Sequence, residues 1–285
     1  MNKLFYILLL IIPFYSCNTE LDYKISGYSQ KIIVEGTIAN NEYPSVYLSL
    51  NIPLSESVDT ATILKNVIRT AKVTISDGEN TEILTSRWDK THFPPYVYRG
   101  YDLKGVEGKK YFLTVEYGGY TLKSETTIPY GSDIKNFKTT QLEENDSLRI
   151  LSMTFNIDMS HKTAFRVFTK KSKDKYYRET PMVFNSELSF SGDKTFDISP
   201  QPMKSDSSYS ENSYFAVGDT VKIRLCAIDS TSTQFFKALT LFSSSNGIGS
   251  NIFIGEKDAL NSNISSPGFG IWWGGSVRNY QLIIQ

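Results

Sequence analysis

The chain has 285 residues, and its 30 basic residues balance its 30 acidic residues to a formal net charge of zero. This balance excludes recognition of nucleic acid through overall charge, because proteins of that class carry a clear basic excess. Hydrophobic residues make up 40% of the chain and aromatic residues 13%, which is enough for packed cores and favours strands over helices. The length suits two domains of ordinary size.

The N-terminal segment predicts export and a lipid anchor. Residues 4–14 form an apolar run that is too short to span a membrane, for which about 20 apolar residues are needed. Such a run is typical of a secretory signal peptide. Ser16 and Cys17 follow it in an arrangement that resembles a bacterial lipobox, in which the cysteine thiol receives a diacylglyceryl group. We therefore predict a signal peptide at 1–16 and a lipidated tether at 17–28. A plain secreted protein with a buried Cys17 is the alternative.

The second cysteine, Cys226, lies in an alternating, strand-like segment. Cysteines of secreted proteins usually pair, and lipidation of Cys17 would leave Cys226 without an intramolecular partner. We therefore expect Cys226 to be a single buried thiol that acts as a small hydrophobic residue. A disulfide between the two cysteines is the alternative, and it would tie the N-terminal segment to a core strand.

The first domain, at residues 29–130, is predicted to be an Ig-like β-sandwich. Alternating segments at 29–39 and 44–51 predict a hairpin, and the polar residues 52–66 predict a loop. The clearest hairpin covers 108–129, where two alternating strands flank a Gly-Gly turn. Strands at this spacing, without a helical period, favour an antiparallel sandwich.

The second domain, at residues 135–285, is predicted to be another antiparallel sandwich, which meets the first near 129–135. Residues 185–214 are rich in Ser, Asp and Pro and predict a long loop. Strands are predicted at 148–157, at 164–171, at 218–229 and in two C-terminal pieces, FGIWWGG and VRNYQLIIQ.

A change to helical period predicts one short helix near 231–243. Ser230 or Thr231 is the expected N-cap. The apolar face of this helix is expected to consist of Phe235, Phe236, Leu239 and Phe242. The predicted fold class is therefore all-β, with two antiparallel β-sandwich domains and one short helix.

Six segments, taken in order, resemble the DUF4249 family of Bacteroidetes lipoproteins. They are the lipobox at Cys17 and the stretches KIIVEGTIAN, IRTAKVTISDG, GKKYFLTVEYGGYTLKSETTIP, VKIRLCAIDSTSTQFFKAL and NSNISSPGFGIWWGGSV. The resemblance covers nearly the whole chain after residue 16. Members are typically encoded near outer-membrane TonB-dependent transporters, which implies an accessory role in the cell envelope. The family has no established catalytic residues, so the resemblance implies none here. The first domain also resembles CnaB-like sandwiches, at the level of the fold alone.

Side chains that would indicate catalysis or metal binding are sparse. The chain has two histidines, His92 in a Pro-rich loop and His161 in a polar turn, and no motif places a nucleophile beside either. No His or Cys cluster has zinc spacing. We therefore expect no catalytic residue, no cofactor and no metal. A hydrolase with an unconventional carboxylate site, built from Glu143, Glu144 and Asp146, is the alternative.

Exposed aromatic residues in long loops are the expected contacts with a ligand or partner, because loops carry recognition in sandwich folds. These candidates are Phe93, Tyr96, Tyr209 and Tyr214. Trp272 and Trp273 are a further candidate, as an aromatic platform of the kind that binds sugars. Neighbouring residues of a strand point to opposite faces, however, so one of the two is expected in the core. The glycines that flank the pair favour a close-packed strand end or a bulge.

We expect a non-enzymatic lipoprotein, anchored to the outer membrane on its periplasmic or outer face, that binds a ligand or a TonB-dependent transporter. A cell-envelope hydrolase and a carbohydrate-binding protein are the alternatives. An enzyme should have a deep pocket with converging carboxylates, whereas a binding protein should have a broad exposed aromatic patch.

Overall fold

A computed structural model describes residues 29–53, 56–90, 92–143, 145–158, 163–185, 191–200, 214–244 and 261–285. Within these residues the chain forms 16 strands and two helices. In chain order they are β1 (Ile32–Ala39), β2 (Ser45–Leu50), α1 (Thr60–Lys65), β3 (Lys72–Ser76), β4 (Thr81–Ile83), β5 (Thr85–Trp88), β6 (Tyr96–Arg99), β7 (Lys110–Tyr117), β8 (Tyr120–Thr127), β9 (Ile134–Leu142), β10 (Asn145–Ile157), β11 (Ala164–Lys171), β12 (Arg178–Asn185), β13 (Gly192–Ile198), β14 (Phe215–Ala216), β15 (Thr220–Ile228), α2 (Ser230–Ser244) and β16 (Gly268–Ile283).

The strands form three sheets, and the predicted all-β, antiparallel fold class is confirmed. One sheet has eight strands in the order β12-β11-β15-β16-β1-β2-β6-β5. The second has four strands in the order β4-β3-β7-β8, and the third joins β13, β10 and β14, with β9 paired to β10. The paired strands are antiparallel except β1 and β16, which run parallel.

The β7–β8 hairpin illustrates how the sequence forms these strands. Tyr111, Leu113 and Val115 alternate along β7 and are buried. Gly118 and Gly119 connect the strands with φ angles of 57° and 82°. Two-residue hairpin turns require this left-handed conformation, which glycine adopts at little cost. The hairpin therefore forms where the sequence predicts it.

The eight-stranded sheet is shared by two hydrophobic cores. The first core lies between this sheet and β4-β3-β7-β8 and includes Val34, Val73 and Trp272. The second core lies between the sheet and the β9, β10, β13 and β14 strands and includes Phe155 and Ile223. The described chain is therefore two sandwiches built on one sheet, called here the N-terminal and C-terminal sandwiches.

The last strand, β16, belongs to both sandwiches. Its first half, residues 268–275, pairs with β1 in parallel, and its second half, residues 275–283, pairs with β15. The prediction of two separate strands here is wrong, because the glycines do not interrupt the strand but let it approach its neighbours. A Cβ at Gly270 would lie 1.9 Å from the Val34 carbonyl oxygen, so only glycine fits there. The shared sheet therefore runs across the boundary predicted near 129–135.

The helix α2 confirms the predicted helix, but its N-cap differs. The cap is Asp229 rather than Ser230 or Thr231, because its Oδ1 accepts the Ser232 amide at 2.7 Å. Phe235 and Phe236 are buried against the outer face of the eight-stranded sheet. Leu239 is exposed and so does not belong to this buried face, and the Phe242 side chain lies outside the described part of the chain.

Two predicted loops contain regular structure. Residues 52–66 include α1, a short helix that begins after Asp59, whose side chain accepts the Thr62 amide. Residues 185–214 include β13, whose outward polar side chains pair with those of β10: Ser152 donates to Asp197 at 2.7 Å. Because these partners are polar, β13 lacks the apolar pattern of a typical strand. Neither helix of the described residues has the length and apolar composition needed to cross a membrane.

Candidate functional site

The aromatic tip, defined as Arg69, Trp88, His92, Phe93 and Tyr96, lies at one end of the N-terminal sandwich. Trp88 is the last residue of β5 and pairs in register with Tyr96, the first residue of β6. Their rings meet edge to face, with centroids 5.0 Å apart. The guanidinium carbon of Arg69 lies 4.3 Å from the centroid of the Tyr96 ring. Edge-to-face and cation–π contacts of this kind fix the rings in place.

The aromatic tip presents apolar surface to solvent. Trp88 is 55% exposed and Phe93 is 53% exposed. Phe93 lies in the loop that joins β5 to β6, and Asp89 closes this loop by donating its amide to the Pro95 carbonyl at 2.9 Å. The strand ends and the loop therefore hold large aromatic side chains outward on a rigid base, an arrangement suited to contact with a partner.

His92 is part of the base of the tip. Its ring stacks on Tyr47 with centroids 3.8 Å apart, and its Nδ1 lies 3.1 Å from the Pro94 carbonyl oxygen. The Tyr47 hydroxyl donates to Asp89 at 3.4 Å. Burial, together with the nearby carboxylates of Asp89 and Glu35, raises the pKa of Tyr47 above its ordinary value. The rings of Tyr47 and His92 therefore support the β5–β6 loop.

A polar groove of about 620 Å³ lies where the two sandwiches meet. Its walls are Asn40, Asn41, Gly105, Val106, Glu107, Val277, Arg278 and Asn279. The Asn40 Oδ1 accepts the Val277 amide, so the end of β1 is fastened to β16 beside the groove. The groove has one carboxylate in its lining, Glu107, rather than the converging pair that hydrolysis of a polar substrate would use.

Glu107 is already engaged by protein donors. The Arg278 NH1 lies 2.6 Å from its Oε1, and the Ser276 hydroxyl donates to the same oxygen. Burial of the carboxyl acts to raise its pKa, but the hydrogen bonds from Arg278 and Ser276 outweigh this effect, and its pKa lies below the ordinary value. Arg278 also contacts Asp133 at 2.9 Å. Glu107 therefore serves to join a loop to β16.

Cys226 is a buried, free thiol within the described residues, as expected. Burial raises the pKa of this thiol to about 12, so it is protonated at neutral pH and is a poor nucleophile. The expectation that it acts as a small hydrophobic residue fits its place in the cluster under α2.

The structure brings together two of the predicted contact residues, Phe93 and Tyr96, in the aromatic tip. Tyr214 is half-buried just before β14 in the C-terminal sandwich, where its carbonyl accepts the Lys171 ammonium at 3.3 Å. It does not lie with the other two. Cys17, Tyr209, Glu144 and His161 lie outside the described residues.

The surface contact predicted for Trp272 is wrong, because this side chain is fully buried in the first core. Its indole Nε1 donates to the Tyr111 carbonyl at 3.2 Å. Trp273 points to the opposite face and is half-buried under α2, with its ring centroid 5.6 Å from that of Phe236. The two rings therefore form no common platform.

The predicted alternative site at Glu143 and Asp146 lies on an exposed turn. Both described carboxylates are exposed at the β9–β10 connection, and Asp146 accepts the side-chain amide of Gln141. Across the ranges that the structure describes, no group of three or more His, Cys, Asp or Glu side chains is placed to hold a metal ion.

Sequence reasoning did not identify Arg69 and Trp88 as part of the site. Arg69 follows α1, far from Trp88 in the chain, and only the sheet pairing brings the two near Tyr96. A signal was present in RWDKTHFPPYVYRG, where aromatic and basic residues alternate around two prolines. Such clustering is typical of exposed contact loops.

The two sandwiches, their shared sheet and the aromatic tip define a β-sandwich protein with an exposed aromatic patch. A family model described as a domain of unknown function, DUF4249, matches residues 18–281, and the chain belongs to this family. No curated protein matches the chain.

Two solved structures are similar to the chain at low scores. A chain of a cytokine receptor complex has a TM-score of 0.25 and 7% identity, over 70% of this chain and 86% of that one. The FN1–FN3 domains of chicken CNTN1 have a TM-score of 0.26 and 8% identity, over 91% of this chain and 69% of that one. Neither similarity bears on function.

Proposed function

We propose that this protein is a lipid-anchored, non-catalytic accessory protein of the outer membrane, which works beside a TonB-dependent transporter and uses the aromatic tip to hold its position there. The exposed aromatic tip carries this proposal. Trp88 and Phe93 are each more than half exposed, although they are large and apolar. Exposed apolar groups held on a rigid base are typical of contact surfaces.

The charges of the described chain support recognition by shape rather than by an electrostatic field. Arg278 pairs with Glu107, Arg166 pairs with Glu179 at 2.6 Å, and Arg224 pairs with Glu42. Because the 30 basic residues of the chain balance its 30 acidic residues, and these cations are paired with carboxylates, little net charge remains to steer a distant partner. Aromatic contacts would then supply most of the binding energy, as in the centres of protein interfaces.

The anchor is proposed from the sequence. The apolar run at residues 4–14 ends at Ser16 and Cys17, which fits acylation of the cysteine. Each buried methylene contributes about 0.8 kcal/mol, and two acyl chains are enough for stable attachment to a bilayer. The outer-membrane location and the transporter partner follow from the resemblance of this chain to family members encoded near such transporters.

The anchor is tested by metabolic labelling of the full-length chain with palmitate in its native host. We expect label in the wild type, and we expect Cys17→Ala to lose the label and leave the membrane fraction. A labelled, membrane-bound Cys17→Ala protein would contradict acylation at this residue.

The accessory role is tested by recovering the full-length protein from native outer membranes in mild detergent. We expect a TonB-dependent transporter to be recovered with it, and we expect Trp88→Ala to lower this recovery. Tyr176→Ala is the matched control, because Tyr176 is an exposed aromatic residue between β11 and β12 in the other sandwich.

The alternative, that this protein is an enzyme, predicts a different result in these experiments. If no transporter is recovered, and the purified protein turns over an ester, glycoside or peptide that His161→Ala cannot, the accessory role is wrong.

A further inference from the structure

The aromatic tip lies at the same end of the N-terminal sandwich as the N-terminal segment. β1 begins at this end, and β2, which is antiparallel to it, finishes there. Lys31 donates its amide to the Asn51 side chain at 2.7 Å, and Asn51 donates its amide to the Lys31 carbonyl at 3.1 Å. β6 is antiparallel to β2, so Tyr96, the first residue of β6, lies near the end of β2. Residue 29 and the tip therefore share one end of the sheet.

The chain between Cys17 and this end is short. From Cys17 to Ser29 there are 12 residues. A chain of that length reaches at most about 40 Å when fully extended, and its average end-to-end distance as a flexible coil is about 20 Å. If Cys17 is acylated, as in the proposed function on which this inference rests, this end of the sandwich is confined to the neighbourhood of the bilayer. A surface held this close meets the lipid at high effective concentration.

The exposed apolar residues at this end extend beyond the tip. Val58 lies in the β2–β3 connection, which begins and finishes at this end, and Tyr120 follows the β7–β8 turn. Both side chains are more than half exposed, as are Trp88 and Phe93. Three separate chain segments therefore present exposed apolar or aromatic side chains at the end of the sandwich where β1 begins.

Two cations at this end lie against aromatic rings. Arg69 covers the face of Tyr96, and the Lys31 ammonium lies 5.7 Å from the centroid of the Phe269 ring. Amphipathic aromatic side chains beside long cationic ones are the groups that proteins place at the boundary between headgroups and hydrocarbon. This composition matches a lipid surface more closely than it matches a charged polymer or a small polar ligand.

The opposite end of the N-terminal sandwich differs. Val106 and Tyr130 are exposed there, but they flank the ionic cluster of Glu107, Arg278 and Asp133 and the start of the C-terminal sandwich. Desolvating such a cluster against hydrocarbon is costly. Of the two ends, only the one that carries the aromatic tip adjoins the N-terminal segment.

We propose that the end of the N-terminal sandwich formed by Val58, the aromatic tip and Tyr120 rests on the lipid bilayer, with Trp88 and Phe93 at the boundary between the headgroups and the acyl chains. The protein is then docked at two points, by its acyl chains and by its own side chains. The second point fixes the orientation of the sandwiches, which attachment at Cys17 alone does not. The polar groove and the C-terminal sandwich face away from the lipid, and the aromatic tip lies at the bilayer surface beside the membrane-embedded transporter of the proposed function.

The test uses tryptophan fluorescence of the full-length, acylated protein in vesicles of phosphatidylethanolamine and phosphatidylglycerol. Brominated acyl chains quench only tryptophans that touch them. The chain has 3 tryptophans, of which Trp272 is fully buried and Trp273 is covered by α2. We expect emission to be partly lost in brominated vesicles, and we expect Trp88→Phe to abolish this loss. Equal emission from the acylated protein in brominated and plain vesicles would overturn the proposal.

A matched pair of variants locates the contact. Phe93→Glu introduces a charge in the tip, and Val106→Glu introduces the same charge at the opposite end of the same sandwich, in an equally exposed position. We expect Phe93→Glu to weaken the quenching of Trp88 and Val106→Glu to leave it unchanged. Equal quenching in Phe93→Glu and the wild type would overturn the proposal.

Failure of the anchor is distinguishable from failure of the lipid contact. If the protein carries no palmitate label, the proposed anchor is wrong and this inference falls with it. If the protein is labelled and membrane-bound but its Trp88 is not quenched, the anchor stands and only the lipid contact is wrong.

Discussion

Glu107 shows, at the scale of one residue, how a carboxylate can join two halves of a chain. It lies in the loop before β7, yet its partners Ser276 and Arg278 lie on β16. Removing Glu107 would leave the Ser276 hydroxyl and the Arg278 guanidinium with fewer partners in a partly buried place, which costs more than the net value of the interaction. These interactions therefore stiffen the groove that Glu107 lines, and the Glu107 carboxylate faces Ser276 and Arg278 rather than the solvent.

The lowered pKa of Glu107 predicts a dependence of stability on pH. A carboxyl whose pKa is lower in the folded than in the unfolded state stabilises the fold above the ordinary glutamate pKa, and this contribution is lost as the pH falls through the lower folded value. Urea unfolding of the wild type across the acidic range should therefore show a declining free energy of unfolding. We expect Glu107→Gln to be less stable at neutral pH and to decline less steeply.

Glu125→Gln is the control for this measurement, because Glu125 is a solvent-exposed carboxylate that pairs with an exposed lysine, Lys110. Exposed pairs of this type contribute little. If Glu107→Gln declines with pH as steeply as the wild type and Glu125→Gln do, the coupling of Glu107 to folding is refuted.

At the scale of elements, the start of β16 is held by the short segment that precedes it. Asn263 receives the Trp272 amide at 2.9 Å and donates to the Trp272 carbonyl at 2.6 Å, in the manner of a neighbouring strand. Ser265 exchanges further hydrogen bonds with Lys123 on the edge of β8. The stretch NSNISSPGFGIWWGG therefore covers the edge of the sheet at β8 and positions Trp272 in the first core.

Replacement of Asn263 by alanine should destabilise the fold by about 1–3 kcal/mol, because the Trp272 backbone groups lose their partners in a partly buried place. Thermal or urea unfolding measures this loss. Asn261→Ala is the matched control, since Asn261 is exposed and donates to the Gln234 side chain. A similar stability for both variants would refute the role assigned to Asn263.

The elements that could be predicted from sequence are those whose own residues carry the pattern. The β1–β2 and β7–β8 hairpins and α2 combine local turn or cap chemistry with alternating or helical apolar positions. The sequence does not predict β13, because its outward side chains form hydrogen bonds with polar side chains of β10. The local sequence around β13 gives no sign of these distant partners. The sequence predicts two strand pieces where β16 is one strand, and its glycines are points of close approach to β1 rather than the end of a strand.

The residues of the candidate site divide in the same way, into those that the local sequence predicts and those that depend on distant contacts. Phe93 and Tyr96 were predicted because they lie in one Pro-rich loop. Arg69 was missed because its contact with Tyr96 depends on the pairing of distant strands. Trp272 was misplaced because alternation shows that two neighbours face opposite ways but does not show what covers each face.

At the scale of the whole molecule, the shared sheet makes each sandwich depend on the other. β1 has β2 on one side and β16 on the other, and Trp272 of β16 fills the first core. A cavity left by a deleted tryptophan typically costs about 3–5 kcal/mol, and loss of the whole strand also removes the ladder beside β1. The N-terminal sandwich is therefore incomplete without the C-terminal residues of the chain.

A chain that ends at residue 133 should therefore fail to fold on its own, whereas a chain of residues 29–285 should unfold in a cooperative transition. Circular dichroism during thermal unfolding, with a near-ultraviolet signal for fixed aromatic side chains, measures the difference. A sharp transition in the 29–133 fragment would contradict this dependence and would support an independent first domain.

The pairing of β1 with β16 also affects when the first core can fold during synthesis of the chain. Synthesis delivers β1 more than 200 residues before β16, so the first core stays open until residues 268–275 have been made. Closing a contact between such distant segments is slow compared with closing a hairpin. A chain that lacks β16 would keep its unfilled core exposed to proteases. The parallel pairing of β1 with β16 thus links survival of the first core to arrival of the last described strand.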